Sequence, residues 1–316
     1  MLFGLGKPAL VKYLEKNPNV HLVVVAGSYG RKSAIRALGM ILSQEFKVSF
    51  GLNKGEVPEI ILLDYESAVK FPDVKPDIVA VTACKNSDEA QRYFALANKA
   101  KAVIVNHNDV PKEFMQYLTN QNLATYGDEL PANYYFEDTD HEIDGQAGDI
   151  VNIDGEHIPI KIKILGEHNV RPILMACAVG RFFGMNRQKI LEGVDAITPL
   201  HGRMSPAKGI MGSYIIDDSA DGTPTSVYYG LRAIYAIQAP SRIIVTDDES
   251  KLKNMSLELM SEALILTDHK PEQDKPKFRY FTDRLELIHY LGTRMEENGI
   301  VLLEIPLPEI IEEYLW

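Results

Sequence analysis

Short apolar runs rich in Val and Ile alternate along the chain with stretches whose apolar residues recur every three or four positions. Leu22 to Val25 have the length of a buried strand. From residue 31 the spacing changes and puts Ile35, Leu38, Ile41 and Leu42 on one face of a helix over 31–45. The runs EIILLD (59–64), DIVAVT (77–82) and KAVIVN (101–106) predict three further strands. Between the last two, SDEAQRYFALANK predicts a helix that opens on Ser87 as its N-cap. Strands alternating with helices predict an α/β fold with a mostly parallel sheet.

Over 120–165 the texture turns acidic and tyrosine-bearing, then alternating. DIVNIDGEHIPIKIKI predicts a small antiparallel excursion with a turn at Asp154-Gly155. Helical spacing returns at 168–184, through Leu174, Cys177, Ala178 and Phe182, and again at 187–196 behind Asn186 as a cap. Pro199, Leu200, His201 and Gly202 predict a hinge. A second α/β series follows: GSYIID (212–217), a helix near 224–236, RIIVTD (242–247), ALILTD (263–268), a helix near 283–297, GIVLLEI (299–305) and a closing amphipathic helix. Two α/β domains, 1–198 and 199–316, account for this order.

Composition narrows the function classes. At 316 residues and 46% hydrophobic, the chain is long enough for two cores. A formal net charge of −11 argues against nucleic acid or an anionic membrane as the main partner. Cys84 and Cys177 form no CxxC pair, which fits a reduced compartment without a disulfide framework. The N-terminal segment has lysines among its apolar residues and reads as a short amphipathic helix, not a signal peptide. No apolar run approaches the ~20 residues of a membrane span. A cytoplasmic protein without membrane insertion is the expectation.

The candidate chemistry lies first in AGSYGRKSA (26–34), which follows the strand-like HLVVV. A strand, a Gly-rich turn and a helix N-terminus together present backbone N–H groups and a positive dipole end to a phosphate. Gly27 and Gly30 allow close backbone approach, Arg31 or Lys32 supplies the cation, and Ser33 supplies a hydroxyl for Mg²⁺. A plain strand–turn–helix with incidental glycines explains the same stretch.

Other stretches bear on that choice. GEHNVRPILMACAVGRFFGM (166–185), LHGRM (200–204) and IIDDSADGTPTS (215–226) resemble, in order, successive signatures of the Mur ligase family. These are the GTNGKT-like loop's downstream companions: a GxHNxxN helix start, a GR pair and a DD-containing strand end. VIVNHND (103–109) resembles the family's NxDD strand end, and GIVLLEIPLPEIIEEYL takes the place of its closing strand and helix. GSYG and the IIDDS segment look most like the D-alanyl-D-alanine-adding members.

The resemblance implies a P-loop-type, mostly parallel sheet domain followed by a smaller Rossmann-like α/β domain. It implies ATP-dependent amide formation related to peptidoglycan precursor synthesis: ATP phosphorylates a carboxylate, an amine attacks the acyl phosphate, and phosphate leaves. Carried over residue by residue, it gives Gly27, Ser28, Gly30, Arg31, Lys32 and Ser33 to the nucleotide loop. Asn169, Arg203 and Asp217 become further nucleotide contacts, Lys32 and His168 catalytic positions, and Ser33, Asp64 and Glu66 the Mg²⁺ ligands.

The sequence also departs from the family pattern. Aligned without a gap, the family's lysine falls on Arg31; one extra loop residue restores Lys32-Ser33. No histidine follows the fourth strand, and the lysine commonly carbamoylated in the family falls near Tyr93. Pro172 replaces the second asparagine of GxHNxxN, Thr223 replaces the final asparagine of the DD segment, and EIPLPE replaces a basic, Gly-containing turn. Two expectations therefore stand side by side. One is an ATP- and Mg²⁺-dependent ligase of weakened activity. The other is a non-catalytic relative that binds a nucleotide or works through a protein partner supplying substrate recognition.

Overall fold

The computed structural model describes residues 9–52, 56–220, 223–253, 257–271 and 275–307. They divide into two compact units. One is drawn from Met1–Thr139, Gly148–Lys161 and Asn169–Ile197, the other from Asp140–Ala147, Ile162–His168 and Thr198–Trp316.

In chain order, the elements up to the second of these are α1 (Ala9–Lys16), β1 (His21–Ala26), α2 (Arg31–Leu42), β2 (Val48–Phe50), β3 (Ile60–Asp64), α3 (Tyr65–Ala68), β4 (Ile78–Val81), α4 (Ser87–Ala97), β5 (Ala102–Asn106) and β6 (Leu123–Tyr126). Six strands form one sheet in the order β2-β3-β1-β4-β5-β6, parallel at every pairing. β1 is central, with Val23 opposite Leu62 on one side and Ile78 on the other. A parallel sheet is covered on both faces, and β1 accordingly buries Leu22 through Ala26. One face packs Leu22, Val24 and Ala26 with Leu10 from α1 and Phe94 from α4.

Next come β7 (Tyr135–Glu142), β8 (Gly145–Val151) and β9 (His157–Ile162), a three-stranded sheet in that order, then α5 (Glu167–Phe182) and α6 (Arg187–Asp195). The turn between β8 and β9 has Gly155 in the left-handed region (φ 74°), with its N–H donating to the Asn152 carbonyl at 2.9 Å. Asn186 caps α6, its side chain accepting from the Lys189 N–H at 3.0 Å. α6 crosses α2 so closely that a Cβ on Gly193 would stand 2.5 Å from the Ile41 Cα.

The second unit carries β10 (Ser205–Lys208), β11 (Tyr214–Asp217), α7 (Pro224–Ala236), β12 (Arg242–Thr246), β13 (Glu262–Leu266), β14 (Phe278–Phe281), α8 (Arg284–Arg294) and β15 (Ile300–Leu303). The sheet order is β10-β11-β15-β12-β13-β14, parallel except for the antiparallel β10. Two apolar layers cover it, one built around Leu231 and Ile234 of α7, the other around Leu287, Ile288 and Leu291 of α8.

One boundary differs from expectation. Asn86, not Ser87, caps α4: its backbone is extended (φ −152°, ψ 170°) and its side chain accepts from the Glu89 N–H. Ser87 is already helical, and its hydroxyl bonds to the Tyr117 hydroxyl at 2.7 Å instead. The closing amphipathic helix lies outside the described residues. Among those that are described, no helix is long and apolar enough to cross a membrane.

Candidate functional site: a glycine loop between the central strand and its helix

The loop 27–30 leaves the C-terminal end of β1, at the middle of the sheet, and enters α2. Its shape is dictated by Gly27 and Gly30. Gly27 sits at φ 149°, and a Cβ there would stand 2.0 Å from the Thr82 Oγ1 and 2.9 Å from the Ala83 nitrogen. Gly30 is in the left-handed region (φ 77°) and brings no side-chain acceptor to the first turn of α2. A helix N-terminus without a side-chain cap, following a backbone this tightly folded, is suited to an anion. Thr82, just past β4, holds the loop from below, its hydroxyl near the carbonyls of Ala26 and Tyr29. The Ser28 N–H donates to the Ala83 carbonyl at 3.0 Å.

The basic residues at the mouth have separate fates. The Arg31 guanidinium pairs with the Glu66 carboxylate. Lys32 is exposed and makes no ion pair or side-chain hydrogen bond among the described residues. Ser33 is half-buried beside it in the first turn. Asp64, at the end of β3, caps the short α3, one oxygen accepting from the Ser67 N–H at 2.8 Å.

Below the mouth, Tyr93 is 5% exposed and meets the Tyr65 ring edge-on at 4.8 Å between centroids. Burial raises its phenol pKa, and Glu89, Arg31, Glu66 and Ser28 are all near enough to act on it. No group of three or more His, Cys, Asp or Glu side chains among the described residues is placed to hold a metal ion. Of the three residues expected as Mg²⁺ ligands, Ser33 lies in the first turn of α2, Asp64 caps α3 and Glu66 pairs with Arg31.

Three other residues singled out from the sequence belong to the second unit. His168, in the first turn of α5, stacks on the Tyr229 ring at 5.0 Å and 28°. Gly166 passes so near it that a Cβ would stand 2.8 Å from the imidazole. Asp217 ends β11, accepting from the Ser219 N–H at 3.1 Å, with His201 3.4 Å away. Arg203 follows a turn in which its N–H donates to the Leu200 carbonyl at 3.0 Å. The loop residues, Asp64, Glu66 and Asn169 belong to the first unit; His168, Arg203 and Asp217 belong to the second.

Two constellations were not foreseen. The NHND strand end is knotted to α5: Arg171, 5% exposed, binds both oxygens of Asp128 at 2.8 and 2.6 Å and Asp109 at 2.7 Å. Asn106 and Asn108 complete the knot, donating to Asp109 and Asp128 at 2.9 and 3.1 Å. In the second unit Asp218 is buried, accepting from the Met204 N–H at 3.1 Å and from the Ser226 hydroxyl at 3.0 Å.

Residues 89–180 match the model of the Mur ligase middle domain. The UDP-N-acetylmuramoyl-tripeptide–D-alanyl-D-alanine ligase of Bacillus subtilis is 24% identical over 242 residues, 69% of this chain and 52% of its own. A UDP-N-acetylmuramoyl-L-alanyl-D-glutamate–L-lysine ligase of Staphylococcus aureus is 25% identical over 107 residues, 34% of this chain and 22% of its own. The chain thus spans about half, or less, of the length of these relatives. The MurF ligase of Thermotoga maritima, solved with ADP, superposes with a TM-score of 0.75 over 97% of this chain and 82% of its own, at 13% identity. The folylpolyglutamate synthetase of Lactobacillus casei superposes at 0.68 over 96% and 93%, at 10% identity. By the middle-domain match and these curated relatives the chain is similar to Mur ligases, and its α/β fold is the one that those solved ligases share.

Proposed function

We propose that the loop 27–33 binds a nucleoside di- or triphosphate with Mg²⁺ and that the chain acts as an ATP-dependent carboxylate–amine ligase of the kind that builds peptidoglycan precursors. The observation that carries this reading is the uncapped, glycine-led N-terminus of α2 at the end of the central strand. Gly27 and Gly30 give the phosphate chain its backbone cradle. Lys32, exposed and without a partner among the described residues, is the cation for the β/γ oxygens, while Arg31 is tethered to Glu66. Ser33 and Asp64 are the oxygens for the metal. Bound Mg-ATP would supply the phosphoryl group that activates a carboxylate. The chain's own part is positioning and charge stabilisation, which dominate phosphoryl transfer.

Titration calorimetry with Mg-ADP and Mg-ATP tests this. Binding is expected, weakened about tenfold or more by Lys32→Ala and by no more than about twofold by Arg31→Ala. No heat of binding at millimolar nucleotide overturns it.

A second reading, a nucleotide-binding member without ligase chemistry, is favoured by one observation. Tyr93 is packed against Tyr65 in the place where the family resemblance put a metal-binding lysine. Nucleotide binding without phosphate release, when amino acids and a muramoyl-peptide acceptor are added, is the outcome that selects it.

A further inference from the structure

Ser28, which follows the loop's first glycine, is already engaged. Its hydroxyl donates to the carboxylate of Glu89 in the first turn of α4. The Lys85 N–H donates to both, at 3.0 Å to the Ser28 Oγ and 3.1 Å to the Glu89 Oε2. The turn carrying the carboxylate is fixed in its turn, since Asn86 Oδ1 accepts from the Glu89 N–H at 3.0 Å. The Ser28 hydrogen bond is also the largest influence holding the Glu89 carboxyl below the usual range, so it is ionised at neutral pH. Glu66, paired with Arg31, is a second carboxylate near the loop, and Lys85 and Arg92 stand near enough to Glu89 to act on it. The Glu89 carboxylate thus holds a hydroxyl beside the loop, whereas a phosphate loop works by positive charge and free donors.

We propose that Glu89 is an internal competitor for the anion that the loop binds, a specificity-determining residue that holds Ser28 and adds a negative charge beside the phosphate position. This rests on the nucleotide reading of the loop. An entering diphosphate has to take the Ser28 hydroxyl from the carboxylate or bind without it, and it meets like charge in either case. Glu89 therefore sets the loop for ligands that arrive with a divalent cation, because the metal complex carries less net negative charge than the free nucleotide.

Calorimetry on the full chain with Mg-ADP, and with ADP in the presence of a chelator, tests the proposal in Glu89→Ala and Glu89→Gln. The alanine removes both charge and acceptor; the glutamine keeps an acceptor for Ser28 and for the Lys85 N–H and removes only charge. The expected result is a Kd for Mg-ADP lowered about tenfold in Glu89→Ala and about threefold in Glu89→Gln, with a larger gain for metal-free ADP than for Mg-ADP in both. Tighter binding in both variants, or binding in a variant where the wild type shows none, supports the proposal. If the wild type binds and neither variant binds more tightly, the proposal fails while the nucleotide reading stands. If no form binds at ~5 mM, the nucleotide reading fails and the proposal with it.

Discussion

At the scale of single residues, the carboxylates of this protein matter most through the hydrogen bonds that oppose their burial. Asp77 is the clearest case, at 7% exposure beneath the start of β1. Burial pushes its carboxyl up, but Lys101 at 2.6 Å, the Leu22 N–H at 2.7 Å and His21 at 3.2 Å outweigh burial and hold it below its ordinary value. A carboxyl depressed in the folded state stabilises above its unfolded pKa, near 3.8 here, and loses that contribution as pH falls through the lower native value. Asp77→Asn should thus cost about 1–2 kcal/mol at pH 7, the lower end reflecting an exposed Lys101. Urea unfolding of both proteins should show the difference shrinking below about pH 4. Gly27 and Gly30, which shape the turn between β1 and α2, stand together in AGSYGRKSA. Thr82 and Glu89 were not legible there, because they meet the loop from positions more than fifty residues onward. No local pattern distinguishes a glutamate in a capped first turn from one that reaches across to a serine hydroxyl.

At the scale of elements, the strands legible in advance are the buried ones. The runs at 22–25, 59–64, 77–82 and 101–106 became β1, β3, β4 and β5, the interior of the first sheet with β3 beside its edge. Among the strands that the pattern missed, β2, β6, β10 and β14 are the outermost members of the two six-stranded sheets. Each has three or four residues, and an edge strand needs neither a long apolar run nor β-branched residues on both faces. Helix packing shows the converse, a strict local demand made by a distant partner. Gly193 is there because α6 lies against the backbone of Ile41, and a methyl group at 2.5 Å leaves nothing flexible to move. Gly193→Ala should cost about 2–4 kcal/mol despite its better helix propensity, by forcing α6 from α2. A melting temperature lower by several degrees is the expected reading, and an unchanged or raised one would mean that the helices separate freely.

At the scale of the whole molecule, net charge sets how an anionic ligand approaches. The formal charge is −11 and the proposed ligand is itself an anion, so the long-range field opposes their meeting. Raising ionic strength from about 20 to about 200 mM should therefore speed the association of a fluorescent ADP analogue, as the Debye length shrinks below the molecular radius. A rate that falls with salt would show that the basic residues at the loop mouth dominate the approach. The family resemblance anticipated this architecture from motifs spread over the chain, and the middle-domain match covers residues 89–180 of it. Site chemistry was less legible, since a motif gives residue types in order but not which of them another side chain has already engaged.

The placing of β15 has a consequence for how the protein is made. This strand, residues 300–303, lies between β11 and β12 and bonds to both. While the chain is emerging from the ribosome, β11 through β14 appear first, but the gap between β11 and β12 stays open until the last-made strand arrives to fill it. The second sheet is thus closed by a keystone and cannot grow outward from its first strand as it is synthesised. For the time it takes to translate from residue 246 to residue 303, two apolar strand edges wait unpaired, and that interval is when a nascent chain most needs protection from its neighbours.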